Sequence, residues 1–386
     1  MSLIKRIPID KIELGMYVSD LTPGIEDGEL RTNGFIRRWE TVDELSAKGL
    51  TELYIDTHKG IDSPFSLPTP QENGPPKALA SLEEEHARAT KVYAEARQLV
   101  TTLMNDVKTG KAININPVKD LADNISSSVL ANPNALLCLA AIREKDQYLL
   151  EHSINVGILM GVFSRYLGYE DELIHQLITG ALLHDIGKIR VPTQILNKPD
   201  KLDHQQWIEM KRHVVYGQEV LLRSEGVGEV ALSICGMHHE RLDGTGYPMA
   251  LKEFNINNYG RIAAIVDVYD AITANRAYSS GKPPAEAMKL LENLAGHHLD
   301  KNLVAEFISC MSIYPIGSLV ELDSGKIGVV ISINRATPEK PVIRAFYNAR
   351  HKHYEQPDVV DLCHSSTSII STINPSEHKI VVSDFL

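Results

Sequence analysis

From residue 79 to about 310 the apolar residues recur at three- and four-residue steps, and strand-like alternation is scarce. Such a pattern buries its apolar stripe efficiently only as packed helices. Its first stretch, 79–108, shows the period in Leu82, His86, Ala89, Val92, Tyr93 and Ala96 and reads as one long helix. A coiled coil would ask for more sustained heptads, so packing on a core is the expected use. On either side the texture changes. Residues 1–60 mix the alternating segments GMYVSDL and ELYIDT with a helical stretch around TVDELSAKGL, which predicts a small α+β domain. Residues 61–78 carry DSPFSLPTPQENGPP, too rich in Pro, Ser, Gly and Asn to build a core, and are expected to be a surface linker. After Tyr314-Pro315 come the β-branched runs GKIGVVISI and KPVIRAFY, which predict a short antiparallel β extension over 314–386. The expected fold class is mainly α, with these two smaller units at its ends.

A chain of 386 residues exceeds what one core usually serves, so more than one domain is expected. No apolar run reaches the roughly 18–20 residues of a membrane span. The first residues, MSLIKRIPIDKIELGMYV, lack the apolar core and cleavage site of a secretory signal, and a cytoplasmic location without a membrane partner is expected. Cys138, Cys235, Cys310 and Cys363 are far apart, with no C-x-x-C spacing, and read as small buried hydrophobes. A net charge of −11 speaks against binding a nucleic acid polymer. It leaves room for a small anionic substrate, because bound divalent cations invert the local potential.

Seven of the fifteen histidines fall between 152 and 239, and five of them, His152, His184, His213, His238 and His239, sit where a carboxylate or a turn signal accompanies them. In ITGALLHDIGKIRVP an apolar helix should deliver His184 and Asp185 to its C-terminal end, with Gly187 as the helix stop. Neighbours on a helix point about 100° apart, so the pair can serve two metals or bridge them. His152 should open a helix, and His213 lies in MKRHVVYGQEVL. His238 and His239 end a helix just before DGTG, whose turn chemistry could fold both rings toward one cation. Asp267 sits in the apolar helix RIAAIVDVYDAI, where an ionised carboxylate is costly unless paired or bound to a cation. Together with Asp185 these make seven candidate ligands, close to what two metals need. Imidazole and carboxylate without thiolate suit Fe, Mn, Co, Ni or Zn. Such a pair activates water and stabilises charge on phosphoryl oxygens, so hydrolysis of a phosphoester is the expected reaction class. Lys188, three residues after Asp185, could neutralise a phosphate at the same mouth.

HDIGK at 184–188, HHERLDGTGYP at 238–248 and DVYDAITANRAY at 267–278 resemble the HD-GYP subgroup of the HD phosphohydrolases. The resemblance runs from about Asp146 to Ser312, and the first 60 residues look like a small domain often attached to that family. It implies a helical catalytic domain over 141–313, preceded by a helical connector over 79–140. It implies hydrolysis of cyclic di-GMP to pGpG and onward to GMP, with two divalent metal ions, Fe or Mn. The implied metal ligands are His152, His184, Asp185, His213, His238, His239 and Asp267, with Asp185 bridging. Lys188 and Arg276 match positions that contact substrate, Lys188 with a catalytic part. Gly246, Tyr247 and Pro248 would shape the substrate loop. Two departures stand out. Tyr148 occupies the position where some relatives place a glutamate for a third metal, so a binuclear site is expected. Ser279-Ser280 follow Tyr278 where many relatives have a basic residue, which keeps 3′,3′-cyclic GMP-AMP open as the substrate and a non-catalytic dinucleotide sensor open as the role. A mononucleotide substrate fits the GYP segment less well. A homodimer or a signalling partner engaged through the N-terminal domain is left open.

Overall fold

The computed structural model describes residues 4–19, 22, 34–57, 59–61, 63, 66–68, 80–142, 148–274, 281–334, 336–373, 380 and 382–386. The chain divides into two compact units, one of Met1–Pro76 with Ser164–Glu170, the other of Lys77–Phe163 with Asp171–Leu386.

In the first unit, strand β1 (Ile4–Pro8) pairs antiparallel with β2 (Glu52–Asp56), and α1 spans Trp39–Ala47 between them in sequence. The alternation read in ELYIDT is real: Leu53 and Ile55 are buried, and with Ile7, Ile12, Met16, Val18, Ile36 and Leu45 they form this unit's core. Within the Pro-rich tract, β3 (Leu67–Pro68) pairs with the other side of β1. That segment therefore contributes a ladder to the sheet as well as length.

The second unit is helical through Met311. Its helices are α2 (Leu82–Lys108), α3 (Asn116–Ala131), α4 (Pro133–Ala141), α5 (Tyr148–Tyr166), α6 (Asp171–Leu183) and the single turn α7 (Thr193–Leu196). They continue with α8 (His204–Lys211), α9 (His213–Leu222), α10 (Glu229–Met237), α11 (Asn258–Thr273), α12 (Pro284–Leu294) and α13 (Lys301–Met311). A capping box starts α2, with Ser81 accepting from the Glu84 amide and Glu84 accepting from the Ser81 amide. Ala89, Val92, Ala96, Val100, Leu103 and Val107 form its buried stripe, turned to α3 and α4. Helix α11 is buried nearly all round, as a helix through the centre of a domain must be. Phe307 of α13 meets Phe163 of α5 edge-on at 5.1 Å and Tyr269 of α11 at 5.2 Å, which fixes these helices against one another.

The chain then turns to sheet, with β4 (Leu319–Leu322), β5 (Lys326–Ser332), β6 (Val342–Asn348), β7 (His353–Asp361) and β8 (Ile369–Ile373). These lie in the order β7-β6-β5-β4-β8, every pairing antiparallel. Val320, Leu322, Val330, Ile343 and Leu362 make a small core of their own.

Candidate metal centre

Helix α6 is buried from Leu177 to Leu183, and it ends directly before His184. His184 and Asp185 occupy the turn that follows, and Asp185 leads into a short 3-10 helix, Ile186–Arg190. Gly187 is not a helix stop. A Cβ there would lie 1.9 Å from the His213 carbonyl oxygen and 2.3 Å from the Gly217 amide nitrogen. The glycine serves close approach: it lets the 3-10 helix lie on α9 and brings Asp185 to His213. His152 does not open α5, which begins a turn earlier at Tyr148, and the imidazole leaves from its second turn. His213 starts α9, His238 and His239 follow the end of α10, and Asp267 lies inside α11.

All seven side chains converge, and Asp185 stands in the middle. Its Oδ2 is 3.4 Å from His152 Nε2 and 3.3 Å from His184 Nε2, while its Oδ1 is 3.3 Å from His213 Nε2 and 3.7 Å from His238 Nε2. Two groups able to hold a cation result, and they share this carboxylate: His152, His184 and Asp185, and Asp185, His213, His238 and His239. Asp267 spans them as well, with Oδ1 3.0 Å from His152 Nε2 and Oδ2 3.5 Å from His239 Nδ1. Lys188 Nζ donates to Asp185 Oδ2.

The protons on three of the rings follow from their partners. Nδ1 of His184 lies 2.6 Å from the Ala181 carbonyl, Nδ1 of His213 lies 2.7 Å from that of Met210, and Nδ1 of His238 lies 3.0 Å from that of Cys235. A carbonyl only accepts, so each Nδ1 carries a hydrogen, and in the neutral ring that leaves a bare Nε2 aimed into the cage. These three Nε2 atoms and Asp185 Oδ1 are buried without a hydrogen-bond partner. Burying four such atoms unsatisfied costs about 1–3 kcal/mol each, and a cation coordinated among them removes that cost. The donor set thus fits a metal.

Charge and burial point the same way. Burial pushes His213 down to about 3 and His184 below its ordinary value, and burial with the neighbouring His238 holds His239 well down. For Asp185 burial opposes ionisation, but Lys188 and the imidazole of His184 outweigh it and hold the carboxyl well below the usual range. Asp267 is likewise lowered against burial, by the rings of His152 and His239. His184, His213 and His239 are therefore held as neutral imidazole beside the ionised carboxylates of Asp185 and Asp267, the form in which both ligate.

The GYP segment forms one wall. Tyr247 lies over His239 at 4.7 Å between ring centres, and a Cβ on Gly246 would meet the Glu240 backbone at 2.5 Å, so only glycine lets the loop fold back this tightly. Pro248 follows through a cis peptide. Arg276, with Ser279 and Ser280, falls outside the described residues, as does the side chain of Tyr148.

Two carboxylates at the site are absent from the ligands expected above. Asp270, fully buried one turn beyond Asp267, accepts from His152 Nδ1 at 2.7 Å. Its signal was present, since a second acid three residues on in the same apolar helix faces the same way. Glu240, also buried, accepts from the Met249 and Leu251 amides, both at 2.8 Å, and so ties down the loop after Pro248. Nothing in the local sequence marks it, because its partners lie nine and eleven residues away.

Fold and cage together define a helical HD domain built around a candidate metal centre. The HD domain family matches residues 137–303, a domain of unknown function (DUF3391) matches 4–118, and a KOW domain associated with HD domains matches 319–380. A cyclic di-GMP phosphodiesterase of Pseudomonas aeruginosa is 37% identical over 370 residues, covering 93% of this chain and 89% of that protein. A cyclic di-GMP phosphodiesterase of Thermotoga maritima is 36% identical over 165 residues, 42% of this chain and 45% of its own length. A 3′3′-cGAMP-specific phosphodiesterase of Vibrio cholerae is 34% identical over 192 residues, 50% of this chain and 36% of its own length. The solved HDG"Y"P protein of Bdellovibrio bacteriovorus shares the fold, at a TM-score of 0.50 and 20% identity over 79% of this chain and 98% of that one. The chain belongs to the HD-GYP family of HD domain cyclic di-GMP phosphodiesterases.

Proposed function

We propose that this chain hydrolyses cyclic di-GMP to pGpG, and onward to GMP, at a binuclear metal centre. The observation that carries the reading is the division of the Asp185 carboxylate, one oxygen toward His152 and His184 and the other toward His213 and His238. A carboxylate so placed would be shared by two cations, which His152 and His184 would hold on one side and His213, His238 and His239 on the other, with Asp267 reaching toward both. Fe or Mn is the proposed pair, and the nitrogen and oxygen donors also suit Ni, Co or Zn. When bound, the pair supplies Lewis acidity and activates water for attack on phosphorus. The chain's own part is to hold the ligating atoms bare and oriented through Nδ1. Lys188 can swing from Asp185 to a substrate phosphate, where its charge neutralises the departing oxygen. Gly246, Tyr247 and Pro248 shape the loop over His239, and Arg276 is assigned to the substrate through the family motif.

The catalytic domain is assigned to 141–313, with the accessory domain at 1–60, the linker at 61–78, the helical connector at 79–140 and the β extension at 314–386. A cytoplasmic location belongs to this reading, supported by four free cysteines, the state a reducing compartment maintains. No helix among the described residues is long and apolar enough to cross a membrane. The Vibrio relative that is specific for 3′3′-cGAMP supports that dinucleotide as a second substrate. Metal analysis, with chromatography of products from both dinucleotides under anaerobic Fe(II) and under Mn(II), tests the reading. Protein that carries two metals and opens neither ring would be a sensor, and protein that takes up no metal would end the proposal.

A further inference from the structure

Among the cage side chains, His239 at 23% and Lys188 at 16% exposure mark where the centre meets solvent, since the others are at 7% or less. Tyr247 covers His239. Beyond Tyr247 stand Trp207 and Lys211, one turn apart on a single face of α8. The Trp207 ring meets Tyr247 edge-on, at 6.3 Å and 78°, and Lys211 Nζ lies 5.8 Å from the Tyr247 ring centre. Trp207 is 46% exposed, and Met249, two residues along the loop from Tyr247, is 72% exposed.

An indole left in water forgoes the free energy of burial, and a side chain with no role beyond the fold need not stand at the rim of a polar site. The helix that carries the indole is also fixed at its start. A capping box of Asp203 and Gln206 fixes the start of α8, and Lys198 donates to Gln206 at 2.7 Å. From these observations we infer that Trp207, with Tyr247 and Lys211, is the platform on which one purine base of the substrate stacks. This rests on the phosphodiesterase reading and names the subsite that reading leaves unassigned. A phosphate at Lys188 has its base one ribose away, and the aromatic flank of the cage offers such a base a π-face. Lys211 adds a cation able to meet the acceptor edge of guanine. Stacking is tolerant of base identity, so the platform admits either purine.

The chain has two tryptophans, Trp39 and Trp207, so Trp39→Phe leaves Trp207 as its only indole. Titrating that metal-loaded variant with cyclic di-GMP should quench its fluorescence saturably, with rapid mixing used to read binding ahead of turnover. In steady-state assays Trp207→Ala should raise KM about tenfold with kcat and metal content unchanged, and Trp207→Phe should recover most of the loss. Saturation without quenching, or Trp207→Ala with wild-type KM, overturns the platform. A wild-type KM accompanied by a changed solution mass would give the patch to a second copy of the chain. Failure of the wild-type protein to open any cyclic dinucleotide is a different result, which ends the phosphodiesterase reading, while the titration still decides whether a base sits on Trp207.

Discussion

The imidazole of His152 donates through Nδ1 to the carboxylate of Asp270, 2.7 Å away, and this bond aims the opposite nitrogen at Asp185 and Asp267. A carboxylate behind a ligating histidine fixes ring orientation and raises its basicity, and its loss typically costs 10–100-fold in metal affinity. Asp270→Asn should therefore lower the affinity of the centre about tenfold or more while leaving the far-ultraviolet circular dichroism unchanged. Competition with a chelator measures this. An unaltered affinity would remove Asp270 from the site.

Asp185 and Lys188 touch, yet they should fail differently. Asp185→Ala and His184→Ala should abolish both metal binding and hydrolysis, since one takes away the shared carboxylate and the other a ligand beside it. Lys188→Ala should keep both metals and lose rate. Elemental analysis beside the activity assay separates the cases, and full activity in the Asp185 variant would show that this carboxylate does not bridge.

Gly187→Ala probes the packing beneath the site. Its methyl carbon would sit 1.9 Å from the His213 carbonyl oxygen, closer than any relaxation of side chains can relieve. The 3-10 helix and α9 must part, at a cost of about 3 kcal/mol or more. Asp185 then moves away from His213. A fall in thermal midpoint together with lost metal is expected, whereas a stable, fully loaded variant would contradict the contact.

Removing metal should also expose a dependence on pH. His213 titrates near 3 in the fold, because burial lowers it, against about 6.5 in an unfolded chain. Between those values the unfolded chain binds the extra proton, so stability rises with pH across the window. This contribution is complete above about pH 6.5 and is lost as pH falls toward 3. Urea midpoints of the chelated protein near pH 7, 6 and 5 should decline in that order, less steeply in His213→Gln. Equal midpoints would mean that the ring is not held neutral.

The helical body, the N-terminal α+β unit and the terminal sheet were legible because each is written in a local period: a stripe in α2, alternation in β2, β-branched runs in β5 and β6. The ligands were legible for a related reason. Histidines and acids in apolar helices are expensive unless something binds them, and HD and HH pairs at helix ends can be read in one dimension.

What only the tertiary structure decided is which atoms meet. Asp185 dividing its oxygens between two pairs of rings depends on α5, α9 and α10 arriving from separate stretches of chain. Gly187 looks like a helix stop until α9 is seen against it, and Glu240 looks like a surface acid until the loop it anchors has folded back. Periodicity is imposed by backbone geometry within a few residues and so leaves its mark on the sequence, whereas the facing of distant side chains is imposed by packing.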